Sequence, residues 1–354
     1  MAELPKPKGI FSGEHLPKGW VGQKSNLEVY LRSLSDICPG MRVVSQISRG
    51  SSSATFVLKS LEGLRVCQFR LSHNTSPNPD NVSFEENLSP TRFSHVSERM
   101  DYLRSFGIAV PRILSSGEVY VTDELQEYMV MDFIKGVSAD TFLARHPDKN
   151  KEVYHKFGEI LARLQGIPYK EKLDFANEHV LRKVRYAGNF LVQNQVFSLE
   201  HICQLMSVLE RRLSLLGNPQ MSYVHLDPFP VNLQITGNFN NFYVTLMDIE
   251  AIQGGHPLVE GLGRAVKWGI YDWDYISGKL PYDTSSTVDA FLHGYSKFSP
   301  EVTQYMQSSA DLKLLLETTE LVSLPQSIMK ETKKENPEKY YEWSKNRLLQ
   351  LIEK

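Results

Sequence analysis

The sequence predicts an α+β fold in which a small sheet-containing N-terminal lobe precedes a larger, mainly helical C-terminal lobe. Three β-like runs stand close together near the N-terminus, whereas strand signals almost cease beyond Gly136. Past that glycine, apolar residues recur at helical spacing, as in the stripe from Val153 to Leu164. We therefore assign residues 1–134 to the first lobe and 135–354 to the second. A cleft between two such lobes is the expected place for a ligand.

The bulk composition indicates an ordinary globular protein. The 354 residues are 41% hydrophobic and 23% charged, enough for one large or two moderate cores. A net charge of −2 gives no general attraction to nucleic acid or to an anionic membrane. Cys38, Cys67 and Cys203 indicate neither a disulfide framework nor paired metal ligands, and no apolar run approaches a membrane span. We expect a soluble, cytoplasmic protein that binds neither nucleic acid nor membrane.

The first lobe is predicted to contain a leading helix, a three-stranded meander, a long loop, a second helix and a hairpin. Apolar residues at helical spacing from Leu27 to Leu34 predict the first helix, which Pro39-Gly40 ends. The later segments are strands Val43 to Ile47, Thr55 to Lys59 and Leu64 to Leu71, a loop from Ser72 to Phe93, a helix from Ser94 to Phe106, and a hairpin of Tyr120 to Thr122 with Glu127 to Phe133.

One hairpin interrupts the predicted helices of the second lobe. It runs from Asn232 to Thr236, turns through residues 237–241, and returns from Phe242 to Asp248. A final helix is predicted near the C-terminus, capped by Asn336, opened by Pro337, and with Leu348, Leu349 and Ile352 facing inward.

Four polar residues around that hairpin carry the chemistry that we predict. If the turn is centred near Asn240, Asn232 lies opposite Asp248, and an amide oxygen and a carboxylate converge. Such hard oxygen ligands suit Mg²⁺. Asp227 precedes this pair and could orient or deprotonate an attacking hydroxyl, while His225 holds the loop by hydrogen bonding. The alternative is that these residues form turns and strand ends only.

The run His225-x-Asp227-x4-Asn232, followed by a hairpin and by Asp248-x-Glu250, resembles the catalytic loop and metal segment of aminoglycoside phosphotransferases and of choline and homoserine kinases. Other segments resemble the family in the same order. They are the opening helix to phosphate loop (31–55), the strand entry (107–114), the hinge (129–136) and a helix (157–168). The resemblance covers about residues 27 to 300. It implies a bilobal protein kinase-like fold.

The resemblance also implies where a nucleotide would bind. Arg70 stands where the family has a lysine, and a guanidinium can still hold phosphate oxygens. An exposed strand charge is the alternative. Glu98 is the candidate partner of Arg70, with Glu85 and Glu86 as alternatives. The remaining candidates are Gly50, Ser51, Ser52 and Ser53 in the phosphate loop and Met131, Asp132, Phe133 and Ile134 in the hinge. Gln165 and Glu260 depart from the family's usual His and Asp, which concerns the subfamily more than the class.

Together these features predict a Mg²⁺-dependent kinase that transfers the γ-phosphoryl group of ATP or GTP to a hydroxyl of an aminoglycoside, sugar or amino alcohol. Aromatic and acidic residues alternate downstream of the metal segment, where the family builds part of its acceptor site; packing of a helix end is the alternative. These residues are Trp268, Tyr271, Asp272, Trp273, Asp274 and Tyr275. A nucleotide-binding pseudokinase-like module and a protein kinase are the other readings of the sequence.

Overall fold

The computed structural model describes residues 24–47, 53–70, 93–121, 124–169, 175–272, 284–332 and 340–353. The chain divides into two compact units. Among the described residues, those up to 70 together with 93–101 and 111–133 form the first unit, and 102–110 together with those from 134 onward form the second. No helix in these ranges is long and apolar enough to cross a bilayer.

The first unit contains α1 (Lys24–Ile37), β1 (Arg42–Ile47), β2 (Ser53–Ser60), β3 (Gly63–Arg70), the start of α2 (Phe93–Ser105), β4 (Ile113–Val121) and β5 (Glu124–Asp132). Its five strands form an antiparallel sheet in the order β1-β2-β3-β5-β4. Tyr30 of α1 packs on Phe56 and Phe69, with ring centroids 5.6 and 4.9 Å away, so the helix covers one face of the sheet. The β4-β5 hairpin is longer than the predicted one, because β4 begins at Ile113 and not at Tyr120. Most of the predicted loop from Ser72 to Phe93 lies outside the described residues.

The second unit is mainly helical. Its helices are α3 (Ala139–Arg145), α4 (Asn150–Gln165), α5 (Ala176–Gln193), α6 (Leu199–Leu216), α7 (Thr284–Ser296), α8 (Thr303–Gln307), α9 (Ser309–Thr332) and α10 (Tyr340–Ile352). Buried apolar residues of α5, α6, α9 and α10 form one hydrophobic core of this unit, which includes Leu348 and Ile352, while Leu349 is partly buried. Asn336 and Pro337 lie outside the described residues.

Two small sheets in this unit position the candidate site. One pairs β7 (Ser222–His225) with β10 (Ile252–Gly255), and His225 lies opposite Ile252. The other has the order β6-β8-β9, from β6 (Val137–Ser138), β8 (Leu233–Asn238) and β9 (Asn241–Leu246). Both sheets flank the segment between β7 and β8, which carries Asp227.

The register of the β8-β9 hairpin differs by one residue from the prediction. Asn238 pairs with Asn241, and its Oδ1 accepts the backbone N–H groups of Asn240 and Asn241 at 3.1 and 2.8 Å. The turn is therefore two residues long and tighter than the predicted five. Consequently Leu233 pairs with Leu246, and Asn232 faces Met247 rather than Asp248.

Candidate active site

Asp227 lies in the loop that joins β7 to β8, and Asn232 closes this loop on itself. The Asn232 Nδ2 group donates to the Asp227 backbone oxygen at 3.0 Å and to Asp227 Oδ2 at 2.7 Å. The two prolines of the segment, Pro228 and Pro230, favour a compact turn between these residues. Asp227 is partly buried and keeps one carboxylate oxygen that Asn232 does not contact. The loop thus orients this carboxylate by a side chain only five positions away.

His225 connects the Asp227 loop to the segment that carries Asp248. Its ring is buried, Nδ1 accepts the Asp227 N–H at 3.2 Å, and Nε2 lies 2.8 Å from the Met247 carbonyl oxygen. Because Nδ1 accepts the hydrogen bond from the Asp227 N–H, it carries no hydrogen itself. The ring hydrogen is therefore on Nε2, which donates to the Met247 carbonyl oxygen. The ring therefore bridges the two segments without facing a reactive group of its own.

Asp248 adopts a left-handed backbone conformation, with φ 51° and ψ 55°. Residues other than glycine rarely adopt it, and such positions cluster at functional sites. Met247, directly before it, donates its N–H to the Asn232 carbonyl oxygen at 2.8 Å. Asp248 therefore follows the residue that pairs with Asn232, which brings both predicted metal ligands to one end of the hairpin.

The surroundings of Asp248 favour the protonated form of its carboxyl group. Loss of hydration is the main cause and raises the pKa; His225 lowers it, and the carboxylate of Asp227 raises it by less than His225 lowers it. Asp248 as a whole residue is nevertheless exposed. A cation bound beside Asp227 and Asp248 would favour the ionised form of the Asp248 carboxyl group.

Two residues that the sequence reasoning missed hold the Asp227 loop from the other side. Arg264 is buried and donates from Nη1 to the Leu226 carbonyl oxygen at 2.7 Å. Gly269 lies so close to Pro228 that a Cβ atom there would stand 2.5 Å from the Pro228 carbonyl oxygen. Neither contact has a local signal, because both residues are about 40 positions along the chain from the loop.

Arg264 also belongs to a buried cluster of charges around Glu260. Lys183 Nζ donates to Glu260 Oε1 at 2.8 Å with both side chains fully buried, and the His256 N–H donates to Oε2 at 2.9 Å. Burial by itself would raise the pKa of Glu260, but the charges of Lys183, His179 and Arg264 lower it to about 2.

The other departure from the family pattern, Gln165, is also buried, and its Oε1 accepts the Tyr295 hydroxyl. Both Gln165 and Glu260 therefore have packing partners inside the second unit.

Arg70 is partly buried in the first unit, which excludes the alternative of an exposed strand charge. Its Nη1 donates to Glu127 Oε2 at 2.9 Å, and its guanidinium lies 4.9 Å from the centre of the Phe93 ring. Among the described residues, Arg70 thus contacts the carboxylate of Glu127, whereas Glu98, the predicted partner, is exposed on α2. The alternative candidates Glu85 and Glu86 lie outside the described residues. The pairing of Phe69 with Tyr128 places Glu127 across from Arg70, a register that links strands distant in sequence.

The other predicted nucleotide contacts fall in three places. Gly50, Ser51 and Ser52 lie outside the described residues, and the Ser53 backbone pairs with Arg70. Met131 and Asp132 end β5, where Met131 is buried and Asp132 forms ion pairs with Arg65 and Arg112 at 3.4 and 3.6 Å. Phe133 is partly buried, and the Ile134 carbonyl oxygen, in the second unit, accepts from Gln234 at 3.4 Å.

The predicted aromatic and acidic acceptor segment is only partly available to a ligand. Trp268 packs against the helical core and donates to Ser323 Oγ at 3.2 Å, and Asp272 accepts from Lys267 at 2.8 Å. For Trp268 and Asp272, packing of a helix end is therefore the better description than an acceptor site. Tyr271 is 39% exposed. Trp273, Asp274 and Tyr275 lie outside the described residues.

Within the described part of the chain, no group of three or more His, Cys, Asp or Glu side chains is arranged to hold a metal ion. The predicted Mg²⁺ ligands are instead one asparagine and one aspartate. Mg²⁺ commonly takes one or two protein ligands and completes its shell with water and phosphate oxygens, so this smaller set is sufficient.

Comparison of the folds places the chain among proteins with a protein kinase-like fold. An aminoglycoside phosphotransferase, a thermostable mutant of APH(4)-Ia in ternary complex with AMP-PNP and hygromycin B, matches with a TM-score of 0.58 at 15% identity, over 91% of this chain and 97% of its own. A microcompartment-associated aminopropanol kinase matches with a TM-score of 0.58 at 14% identity, over 92% and 94% of the two chains. A putative aminoglycoside phosphotransferase from Ralstonia eutropha JMP134 matches with a TM-score of 0.57 at 15% identity, over 93% and 96%. The predicted fold class is thus confirmed.

The sequence profile of the APH phosphotransferase enzyme family matches residues 43–258, more than half of the chain. The protein therefore belongs to that family, and its predicted class, a small-molecule kinase, is confirmed. No curated protein sequence matches the chain significantly.

Proposed function

We propose that the protein transfers the γ-phosphoryl group of ATP or GTP to a hydroxyl of a small molecule, with Mg²⁺ as cofactor and Asp227 as catalytic base. The observation that carries this proposal is the convergence of Asp227, Asn232 and Asp248 at one end of the β8-β9 hairpin. Two oxygen ligands for Mg²⁺ beside a carboxylate that can orient a hydroxyl are the parts that a metal-dependent phosphoryl transfer uses.

Asn232 and Asp248 are the residues that would hold Mg²⁺. The Asn232 Nδ2 group is used by Asp227, which leaves its Oδ1 as an oxygen ligand, and Asp248 is an exposed residue. When bound, Mg²⁺ would neutralise charge on the phosphate oxygens. The left-handed backbone at Asp248 fixes the direction in which its side chain leaves the chain.

Asp227 is suited to orient the acceptor hydroxyl and to take its proton. Asn232 and the His225 contact hold its loop, and no cation is paired with its carboxylate in the contacts described above. In a loose, metaphosphate-like transition state the hydroxyl loses its proton late, so the base mainly aligns the nucleophile and accepts the proton as the new bond forms.

Arg70, the loop around Ser53 and the segment from Met131 to Ile134 remain our proposed nucleotide contacts. The APH(4)-Ia mutant structure contains AMP-PNP together with an aminoglycoside, which supports a nucleotide co-substrate and a small-molecule acceptor here. The aminopropanol kinase extends the plausible acceptors to amino alcohols. Aminoglycosides, sugars and amino alcohols are thus the acceptor classes that we propose.

The variant Asp227→Asn tests the mechanism. An amide has nearly the same shape but cannot take a proton, so kcat is expected to fall by about 10²- to 10⁴-fold while nucleotide and Mg²⁺ affinity are retained. Calorimetry measures the affinity, and steady-state kinetics with the acceptor found in a screen measure kcat. An unchanged kcat removes Asp227 from the mechanism, and loss of nucleotide affinity in a folded variant makes it a metal ligand instead.

The acceptor screen distinguishes a kinase from a module that only binds nucleotide. The contact between Arg70 and Glu127 is the observation that favours such a module, since the Arg70 guanidinium already has a carboxylate partner. Release of ADP or GDP that is stimulated by one of the acceptor classes supports the kinase. Nucleotide binding without release, with every acceptor in the panel, supports the module.

A further inference from the structure

The second unit contains a pocket that lies apart from Asp227. It has a volume of about 650 Å³, within the usual range of small-molecule sites. The ends of α4 and α6, the start of β7, and α8 line it. Ser222, at the start of β7, is one of its lining residues, whereas the Asp227 loop follows the other end of this strand. Five residues of mostly extended chain place Ser222 roughly 15 Å from Asp227, and Asp227 is not among the lining residues.

The lining of this pocket has a distinct chemistry. It includes side-chain amides, hydroxyls, prolines and tyrosines, with Glu301 as the one charged side chain and no Lys, Arg or His among the lining residues. Amides and hydroxyls both donate and accept hydrogen bonds, and the flat faces of proline and tyrosine suit the apolar faces of sugar rings. The absence of cations in the lining disfavours phosphates and carboxylates as ligands.

One buried polar group in the wall adds to this evidence. Ser222 Oγ has no hydrogen-bond partner within the described part of the chain, although its side chain is more than nine-tenths buried. Leaving such a group unsatisfied is unfavourable, so a small rotation that brings it to an occupant of the pocket would stabilise the complex.

We propose that this pocket is a second small-molecule site that binds a neutral or singly cationic polyhydroxylated ligand, such as a hexose or an amino sugar. Gln220, Ser222 and Gln304 would provide the hydrogen bonds, and Glu301 would favour an amine. The site is separate from the proposed phosphoryl-transfer site and does not depend on its activity.

Isothermal titration calorimetry without nucleotide tests the site with glucose, myo-inositol, glucosamine and galactosamine, and with glucose 6-phosphate as the anionic comparison. We expect a dissociation constant on the order of 1 mM for at least one amino sugar and at least about tenfold weaker binding of glucose 6-phosphate. Gln304→Trp fills the pocket from an exposed position on α8 and is expected to weaken binding at least about tenfold. Gln307→Trp on the same helix, outside the lining, is the matched control and should bind as the parent does.

Further variants locate the ligand. Glu301→Gln is expected to remove the preference for glucosamine over glucose, whereas Glu210→Gln, on an exposed position of α6, should keep it. Asp227→Asn should leave this binding unchanged, which separates it from acceptor binding. If no neutral or amino sugar of the panel binds, or if binding is equal in Gln304→Trp and Gln307→Trp, the proposal is wrong. Loss of binding in Asp227→Asn alone would also overturn it.

Discussion

Two groups of carboxylates in the second unit experience opposite environments. Glu260 is fully buried and contacts Lys183, with His179 and Arg264 nearby, and its pKa is lowered to about 2. Asp248 is exposed as a whole residue, but loss of hydration raises the pKa of its carboxyl group, and the opposing effect of His225 does not offset it. Nearby cations thus outweigh the cost of burying Glu260, whereas the neighbours of Asp248 do not offset its loss of hydration. A structural carboxylate and a candidate functional one are distinguished by whether nearby cations compensate for lost hydration.

Arg264 links the buried cluster around Glu260 to the candidate site. Arg264 connects the two groups, because it lowers the pKa of Glu260 and also donates to the Leu226 carbonyl oxygen, next to Asp227. The buried charge cluster around Glu260 therefore supports the loop that carries Asp227. Its contacts help to hold the candidate site in place, although the backbone of Asp248 is strained.

Asp248→Ala gives the largest expected effect on activity. Removing a proposed Mg²⁺ ligand is expected to lower phosphoryl transfer by about 10⁴-fold and to weaken Mg²⁺-dependent nucleotide binding. Because the substitution removes a carboxyl group whose pKa is raised in the folded state, mainly by loss of hydration, the free energy of unfolding should be unchanged or slightly higher. Kinetics and urea unfolding on the same preparation measure both. Full activity in the folded variant would contradict the metal assignment.

Lys183→Met gives the largest expected effect on stability. It leaves Glu260 buried without its closest cation, which typically costs about 3–5 kcal/mol. Urea unfolding measures the loss, and Lys151→Met, an exposed lysine of α4, is the control and should change stability by less than about 0.5 kcal/mol. Adding Glu260→Leu to Lys183→Met should restore part of the stability. A loss of less than about 1 kcal/mol in Lys183→Met would show that the pair is not a structural element.

Acid should destabilise the protein first through His256. Burial lowers the pKa of this ring from 6.5 to about 4, although the Glu260 charge opposes the effect, and its Nδ1 accepts the Leu258 and Val259 N–H groups at 3.2 and 3.3 Å. The folded pKa lies below the unfolded one, so this stability is present above pH 6.5 and is lost as the pH falls towards 4. The change amounts to about 3 kcal/mol.

Glu260 extends the effect to lower pH, since its stabilisation is lost between pH 4.5 and about 2. Asp248 acts with the opposite sign, because a carboxyl group whose folded pKa is raised favours the folded state as the pH falls. Unfolding free energies at pH 7, 5.5 and 4.5 test this order. His256→Gln, which cannot titrate, should flatten the slope above pH 4.5, and an unchanged slope would exclude His256 as its source.

Arg70 gives the smallest expected effect, because its ion pair with Glu127 is only partly buried. If Arg70 contacts phosphate, Arg70→Ala should reduce kcat/KM by about tenfold and Arg70→Lys should retain most of it. Glu127→Gln is the matched variant, since it removes the partner of Arg70 and keeps the cation. Wild-type kinetics in Arg70→Ala would leave Arg70 with a structural role only.

Local patterns predicted much of this architecture. The change from strands to helices near residue 135, the helical stripes and the β8-β9 hairpin are all present, because each follows from periodicity or turn residues within a short segment. The hairpin register was wrong by one residue, since the sequence did not reveal that Asn238 would cap a two-residue turn. The order of His225, Asp227, Asn232 and Asp248 indicated the family, to which the chain belongs.

The sequence by itself determined the class of protein and predicted the catalytic and metal-binding residues of the candidate site, because these residues lie in one continuous segment whose spacing is set by the chain. Only the tertiary structure decided which charges meet. Arg70 pairs with Glu127 across strands 57 positions apart, Lys183 meets Glu260 over 77 positions, and Arg264 reaches Leu226 over 38. Such pairs form when packing brings distant segments together, and side chains with equivalent local patterns, such as Glu98, are equally plausible until the packing is known.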